Sequence, residues 1–211
     1  MHIGILGGGQ LGRMLMLAGY PLGIRCRCLD PAADPCAAQV GECLQGEFDD
    51  YRALYQFASR IDLVTYEFEN VPIESARWLA DRLPVWPPTE ALAIAQDRVS
   101  EKGFFESLDI PVPAFAAVDS ESDFERALKR IGLPAVLKTT RFGYDGKGQA
   151  VLRNRQDAES AWTRLAGRPL ILEAFVPFER ELSILSVRSR SGEVAFYSLV
   201  ENEHRDGMLR R

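Results

Sequence analysis

The sequence predicts an α/β protein with two architectures in series: a parallel sheet with alternating helices, then an α+β region of shorter strands and hairpins. Three observations carry this reading. Apolar strand-like runs alternate with helical periodicity as far as Trp86, and Pro87-Pro88 is a stop that neither element can pass. From Ala114 the strands shorten and flank a glycine-rich loop, and alternating residues on either side of Ser191-Gly192 give a hairpin signal.

In chain order, His2 to Leu6 is an apolar run ending at Gly7-Gly8-Gly9, and Leu11, Met14, Leu15 and Ala18 then recur at helical spacing over Gln10 to Ala18. Ile24 to Leu29 is a second strand, and Ala32 to Cys43 is too small-residue-rich to assign. Asp50 to Arg60 is helical, Ile61 to Tyr66 a strand, Ile73 to Leu83 a helix and Val85-Trp86 a short strand. Thr89 is the expected N-cap of a helix from Glu90 to Ala95. Asp97 to Leu108 is a helix with Val99, Phe104, Phe105 and Leu108 on its apolar side, and it ends before the extended Ile110-Pro111-Val112-Pro113. Helices follow at Ser120 to Ile131 and Gln156 to Leu165, with strands at Ala135 to Lys138, Gln149 to Arg153 and Leu170 to Phe175. Glu181 to Arg188 and Glu193 to Val200 form the hairpin.

The composition is that of a folded globular chain: 211 residues, 46% hydrophobic and 26% charged. A net charge of −5, from 25 basic and 30 acidic residues, argues against nucleic acid as the main partner, since phosphate-backbone binding needs a basic surface. No apolar run reaches the ~18 residues that span a bilayer, and the first residues lack a signal-peptide pattern, so no membrane association and a cytoplasmic location are expected. Cys26, Cys28, Cys36 and Cys43 do not follow a familiar zinc spacing. In a reducing compartment they are expected to be thiols, with Cys26 and Cys28 as small buried residues on one strand face.

Two glycine-rich loops carry the chemistry. Gly7, Gly9 and Gly12 fit G-x-G-x-x-G between a strand and a helix, and Asp30 ends the next strand. A dinucleotide, another phosphorylated ligand and a simple tight turn are all compatible with that motif. The second loop runs from Lys138 through Gly143, Gly146, Lys147 and Gly148 to Gln149. Lysines bracketing flexible glycines between two strands suit a flap over a polyphosphate, unlike a loop that leads into a helix. Glu173 closes an apolar strand and Glu181 follows it. A carboxylate there can accept hydrogen bonds from ribose hydroxyls or an adenine amine, although either glutamate alone is compatible with a solvated charge.

Taken in order, these motifs resemble the ATP-grasp superfamily. Gly7-Gly8-Gly9-Gln10-Leu11-Gly12-Arg13-Met14, Tyr66 to Pro72, Gln96-Asp97-Arg98 with Lys102, Gly143 to Gln149 and Val200 to Gly207 narrow the resemblance to the 5-(carboxyamino)imidazole ribonucleotide synthases of purine biosynthesis. It implies a Rossmann-like domain over 1–96, an ATP-grasp lid over 97–174 and the start of an incomplete nucleotide-binding domain over 175–211. It also implies a ligase that carboxylates 5-aminoimidazole ribonucleotide with bicarbonate and ATP through carboxyphosphate, with Mg2+ as cofactor and a homodimer as the possible assembly. By the same resemblance, ATP is bound by Arg98, Lys138, Gly143, Tyr144, Asp145, Gly146, Lys147, Gly148, Gln149, Glu173, Ala174, Phe175, Val176, Glu181 and His204. Within that set, Lys138, Asp145 and His204 are catalytic. The imidazole ribonucleotide is bound by Gly8, Gly9, Gln10, Leu11, Glu67, Tyr144 and Asp145, with the register of the strand deciding between Glu67 and Glu69.

The family continues beyond residue 211 with a glutamate and an Asn-Glu pair that hold magnesium. The expectation is therefore a truncated chain with no metal ligands of its own, inactive alone, in which Met208 to Arg211 begins a strand with nothing to pair against. Two other readings stay open: another ATP-grasp ligase, and a non-catalytic fragment that binds ATP or ribonucleotide.

Overall fold

A computed structural model describes residues 1–143, 148–205 and 208–211. The chain divides into two compact units, Met1–Glu101 and Lys102–Arg211.

In the first unit, β1 (His2–Leu6) leads through the glycine turn into α1 (Gln10–Gly19), followed by β2 (Arg25–Asp30) and β3 (Glu42–Gln45). Then come α2 (Tyr51–Ala58), β4 (Leu63–Tyr66), α3 (Ile73–Ala80) and α4 (Thr89–Ala95). The four strands form one parallel sheet in the order β3-β2-β1-β4, the doubly wound arrangement that the alternation of elements predicts. Val85 adds only a single parallel bridge to Val64. Because strand side chains alternate, the sheet has two cores. Leu6, Leu29 and Val64 pack with Leu54, Phe57 and Leu79 on one face, whereas Ile5 and Cys28 pack with Met16 and Ala37 on the other.

Two expectations need correction in this unit, and one unassigned stretch takes form. The unassigned stretch 32–43 contains a short 3-10 turn at Cys36–Gln39, and β3 begins at Glu42. At α4 the N-cap is Pro88, not Thr89, which is already helical and donates its hydroxyl to Glu90 Oε1 at 3.2 Å. The thiol expectation fails for Cys28 and Cys43, which oppose each other in the β2–β3 register, 4.5 Å apart at Cα, and form a disulfide. Cys26 and Cys36 are free. Unfolding the protein without reductant is thus expected to expose two titratable thiols instead of four, as a thiol-specific chromophore would count.

In the second unit, α5 (Arg98–Ser107), which straddles the division, precedes β5 (Phe115–Val118), α6 (Glu121–Ile131), β6 (Ala135–Thr139), β7 (Gln149–Leu152), α7 (Arg155–Leu165) and β8 (Leu170–Ala174). No residue of α5 is buried, contrary to the apolar side expected for it, and Phe104 and Leu108 are exposed. Ser120 and Asn154 cap α6 and α7 by accepting hydrogen bonds from the Asp123 and Asp157 N–H groups. The antiparallel sheet runs β5-β8-β6-β7. Phe124, Ala127, Leu128, Ala158, Ala161 and Leu165 of the two helices cover Val118, Ala135, Leu137, Leu152, Leu170 and Leu172. Alternation then turns Lys138, Ile171 and Glu173 to the opposite face.

The C-terminal hairpin forms in two ladders. β9 (Glu181–Ser183) pairs with β12 (Val200–Asn202), and β10 (Ser186–Arg188) pairs with β11 (Val194–Phe196). Beyond it, β13 (His204–Arg205) pairs with β14 (Met208–Leu209), so the last strand does have a partner.

Candidate functional site

In the first unit the site is the β1–α1 turn. Gly7 adopts φ +105°, a conformation closed to most side chains, and donates its N–H to the Leu29 carbonyl. Gly8 donates its N–H to Asp30 Oδ2 at 2.7 Å, while Asp30 Oδ1 accepts from the Ala32 N–H at 2.8 Å. Both Asp30 oxygens therefore hold backbone together, which weakens the dinucleotide reading that Asp30 invites in sequence. It also removes the Gly8 N–H from the donors available to a phosphate. The N–H groups of Gln10 and Leu11 at the start of α1 have no hydrogen-bond partner among the described residues, the normal state of a helix N-terminus and one that favours an anion.

The Glu67 side chain folds over this turn: a Cβ on Gly9 would lie 2.6 Å from Glu67 Oε1, and one on Gly7 would also strike the carboxylate. Of the two candidate glutamates, Glu67 faces the turn. Glu69 is exposed and contributes its carbonyl, which accepts from Gln96 Nε2 at 2.7 Å; the same amide donates to the Val71 carbonyl at 2.6 Å. Gln96 thus straps the segment that follows β4, and Asp97 accepts from the Val99 and Ser100 N–H groups at the start of α5. Neither role is visible in the motif itself, where Gln96 and Asp97 carry the resemblance without an assigned role.

Tyr66, beside Glu67, has a buried hydroxyl with no hydrogen-bond partner among the described residues. Burial, and secondarily the negative charge of Glu90, push its phenol up to about 12. The folded protein therefore keeps a proton that the unfolded chain releases near pH ~10. The stability contributed by Tyr66 is complete below about pH 10 and is lost as the pH rises toward the folded value. Phenolate absorbance is expected to show one tyrosine titrating late, and Tyr66→Phe is expected to remove both that step and the matching loss of stability.

In the second unit, Lys138 and Glu173 stand as diagonal neighbours on β6 and β8, since Glu173 opposes Val136 and Lys138 opposes Ile171. Lys138 Nζ lies 3.0 Å from Glu173 Oε2, and Lys102 Nζ from α5 lies 3.5 Å from the same oxygen. Glu173 is only 5% exposed and its Oε1 is buried with no partner among the described residues, so it is not the solvated charge it resembles in sequence. Lys102 stands in the motif with Gln96-Asp97-Arg98 but has no assigned role in sequence, and its place beside Glu173 is seen only in the fold.

After Glu173, the Ala174 and Phe175 N–H groups donate to the Ala114 and Pro134 carbonyls. Among the described residues the Phe175 carbonyl and Val176 N–H are unengaged, an acceptor and a donor of the kind an adenine edge needs. Glu181 and His204, far apart in sequence, come together: His204 Nδ1 is 3.4 Å from Glu181 Oε1, which also accepts from Asn202 Nδ2 at 3.0 Å.

Gly148 closes the glycine-rich loop at φ +74°, with its carbonyl accepting from the Thr139 N–H. Gln149 pairs with Lys138 in the β6–β7 ladder, and Gly143 lies at the other end of the loop. Tyr144, Asp145, Gly146 and Lys147 lie outside the described residues, as do Asp206 and Gly207. Arg98 begins α5 in the first unit. Among the described residues no three His, Cys, Asp or Glu side chains are grouped to hold a metal ion, and no helix is long and apolar enough to cross a membrane.

Residues 1–96 match the ribonucleotide synthetase preATP-grasp domain and residues 103–211 the ATP-grasp domain. The N5-carboxyaminoimidazole ribonucleotide synthase of Pseudomonas aeruginosa is 52% identical over 210 residues, covering 100% of this chain and 58% of its own length. A crystal structure of the Thermus thermophilus synthetase is 60% identical with a TM-score of 0.92, covering 99% of this chain and 56% of its own. The Aspergillus clavatus synthase, solved with ADP and 5-aminoimidazole ribonucleotide, is 27% identical with a TM-score of 0.88, covering 99% of this chain and 55% of its own. The chain spans a little over half the length of these relatives. With the ATP-grasp domain matched over more than half of its residues, behind a preATP-grasp domain of the ribonucleotide synthetase type, the chain belongs to the ATP-grasp family.

Proposed function

We propose that the protein to which these residues belong catalyses ATP-dependent carboxylation of 5-aminoimidazole ribonucleotide by bicarbonate in purine biosynthesis. The observation that carries this reading is the extent of the likeness: relatives bearing that name match both units, over 98–100% of this chain in two of the curated proteins. A bicarbonate oxygen attacks the γ-phosphorus of ATP and ADP leaves. The carboxyphosphate so formed then gives its carbon to the exocyclic amine as phosphate departs. Such a sequence asks the protein for positioning, charge neutralisation and exclusion of water.

In this reading Lys138 and Arg98 meet ATP phosphates under the loop 143–149. The unengaged groups of Phe175 and Val176 meet adenine, and Glu181 meets ribose beside His204. The α1 N-terminus and Glu67 serve the ribonucleotide. Asp145 and Tyr144 keep the roles that their motif implies, and the division into 1–96, 97–174 and 175–211 belongs to the same reading. Mg2+ is the counterion that ATP brings. The described residues offer no cluster that fits it. A cytoplasmic homodimer completes the proposal.

ADP release with Mg-ATP, bicarbonate and 5-aminoimidazole ribonucleotide, each omitted in turn, tests it. Turnover that needs all three supports the ligase. ATP binding without turnover in the full-length protein would assign a binding role instead, and release that ignores the ribonucleotide would point to another ATP-grasp reaction.

A further inference from the structure

We infer that Lys102 is a positioning residue for nucleotide binding: it neutralises Glu173 so that Lys138 can offer its charge to phosphate. This inference rests on the ATP-binding reading above. Lys102 and Lys138 approach one carboxylate oxygen, Glu173 Oε2, at 3.5 and 3.0 Å. Their side chains are 16% and 26% exposed, against 6% for the carboxylate.

Charge counting then decides what the group can do. A carboxylate this buried demands a counterion, because removal from water penalises its ionised form unless an opposite charge stands close. With a single lysine the pair is neutral, and the cation that touches the carboxylate is committed to it. With two lysines the group carries one net positive charge, and that charge is presented through its most exposed member. Lys138 is that member, on the β6 end that runs into the glycine-rich loop; Lys102 is the more buried one. Lys102 need not touch the nucleotide to matter. It acts through Glu173, by holding a share of the carboxylate that Lys138 would otherwise have to satisfy alone.

A merely structural lysine and a charge-balancing one make different predictions. Lys102→Met leaves Lys138 to Glu173 alone, so ATP affinity is expected to fall by about 10-fold, roughly the effect of one lost charge contact in a partly desolvated site. Removing the carboxylate's charge as well, in Lys102→Met/Glu173→Gln, restores a net positive group and is expected to return most of that affinity. Lys102→Arg is expected to behave like the unsubstituted protein. A structural role predicts no recovery in the double variant, since a second interaction of the packed group is then lost as well.

A second measurement does not depend on ATP. Acetylation of Lys138 by a trace amine reagent, followed by peptide mass spectrometry, is expected to slow several-fold in Lys102→Met, where the amine is held at Glu173, and to recover in the double variant. Unchanged Lys138 labelling in Lys102→Met would overturn the inference, as would labelling that stays slow in the double variant. If the unsubstituted protein binds no ATP, the proposed function fails while the labelling still decides the role of Lys102. Circular dichroism on each variant separates these outcomes from unfolding.

Discussion

Glu173→Gln is expected to destabilise residues 102–211 by about 3 kcal/mol, the lower end of what breaking a buried ion pair costs. The substitution keeps volume and shape, so the loss is electrostatic. It leaves the ammonium groups of Lys102 and Lys138, which had converged on one oxygen, facing each other with no counterion between them. Lys138 can swing partly into water, which limits the cost; Lys102, at 16% exposure, has less room to escape. Hydrogen exchange of the β6 and β8 amides reads this directly, with protection expected to fall by about 100-fold where exchange requires opening of the sheet. Because the group is buried, the loss should persist at high salt, unlike that of a surface pair. Adding Lys102→Met is expected to recover part of it, since only one ammonium then remains. Protection equal to that of the unsubstituted protein would mean that Glu173 contributes nothing to the sheet.

The local signals of the sequence were strong where one short segment carries its own physics. Strand, glycine turn and helix at Ile3 to Ala18, the amphipathic helix beginning at Ser120 or next to it, and the apolar strands β6 and β8 are all decided by neighbours within a few residues. The parallel order of the first sheet follows from alternating elements. Where the outcome depends on distant partners, sequence reasoning falls short. β3 is four residues with no fully buried side chain, and only its pairing with β2 makes it a strand. The Cys28–Cys43 bond exists because that register opposes the two residues, and the register is not in the spacing. Thr89 lost the cap to Pro88 because the helix begins at Thr89 itself, one residue earlier than expected. The group on Glu173 gathers α5, β6 and β8, with 70 residues between Lys102 and Glu173, and the motif that includes Lys102 does not name that destination. Gln96 and Asp97 carry a recognisable motif, yet what they do is strap a loop and start a helix.

Gly12→Val is expected to have the largest effect in the first unit, because the atom it meets cannot move aside. A Cβ at Gly12 would lie 2.9 Å from the Gly7 carbonyl oxygen, backbone of the very turn that starts the helix. At Gly9 the obstacle is the end of the Glu67 side chain, which can rotate away; at Gly12 either α1 or the turn must shift. Overpacking of this kind costs roughly 1–3 kcal/mol. Exchanging glycine for valine in a helix returns only a few tenths of that through propensity, so destabilisation wins. Gly103→Ala is the matched control, since nothing lies within 4 Å of its Cβ position and α5 should gain up to ~1 kcal/mol from the better helix former. The two glycine substitutions should therefore move chemical-denaturation midpoints in opposite directions. The displacement also reaches function in the reading proposed above. The Gln10 and Leu11 N–H groups that await an anion start the same helix, so affinity for a ribonucleotide phosphate should drop more than about 10-fold. A Gly12→Val protein as stable as the unsubstituted chain, and equally able to bind the ribonucleotide, would show that close contact between helix and turn is dispensable and that the third glycine of the motif serves another purpose.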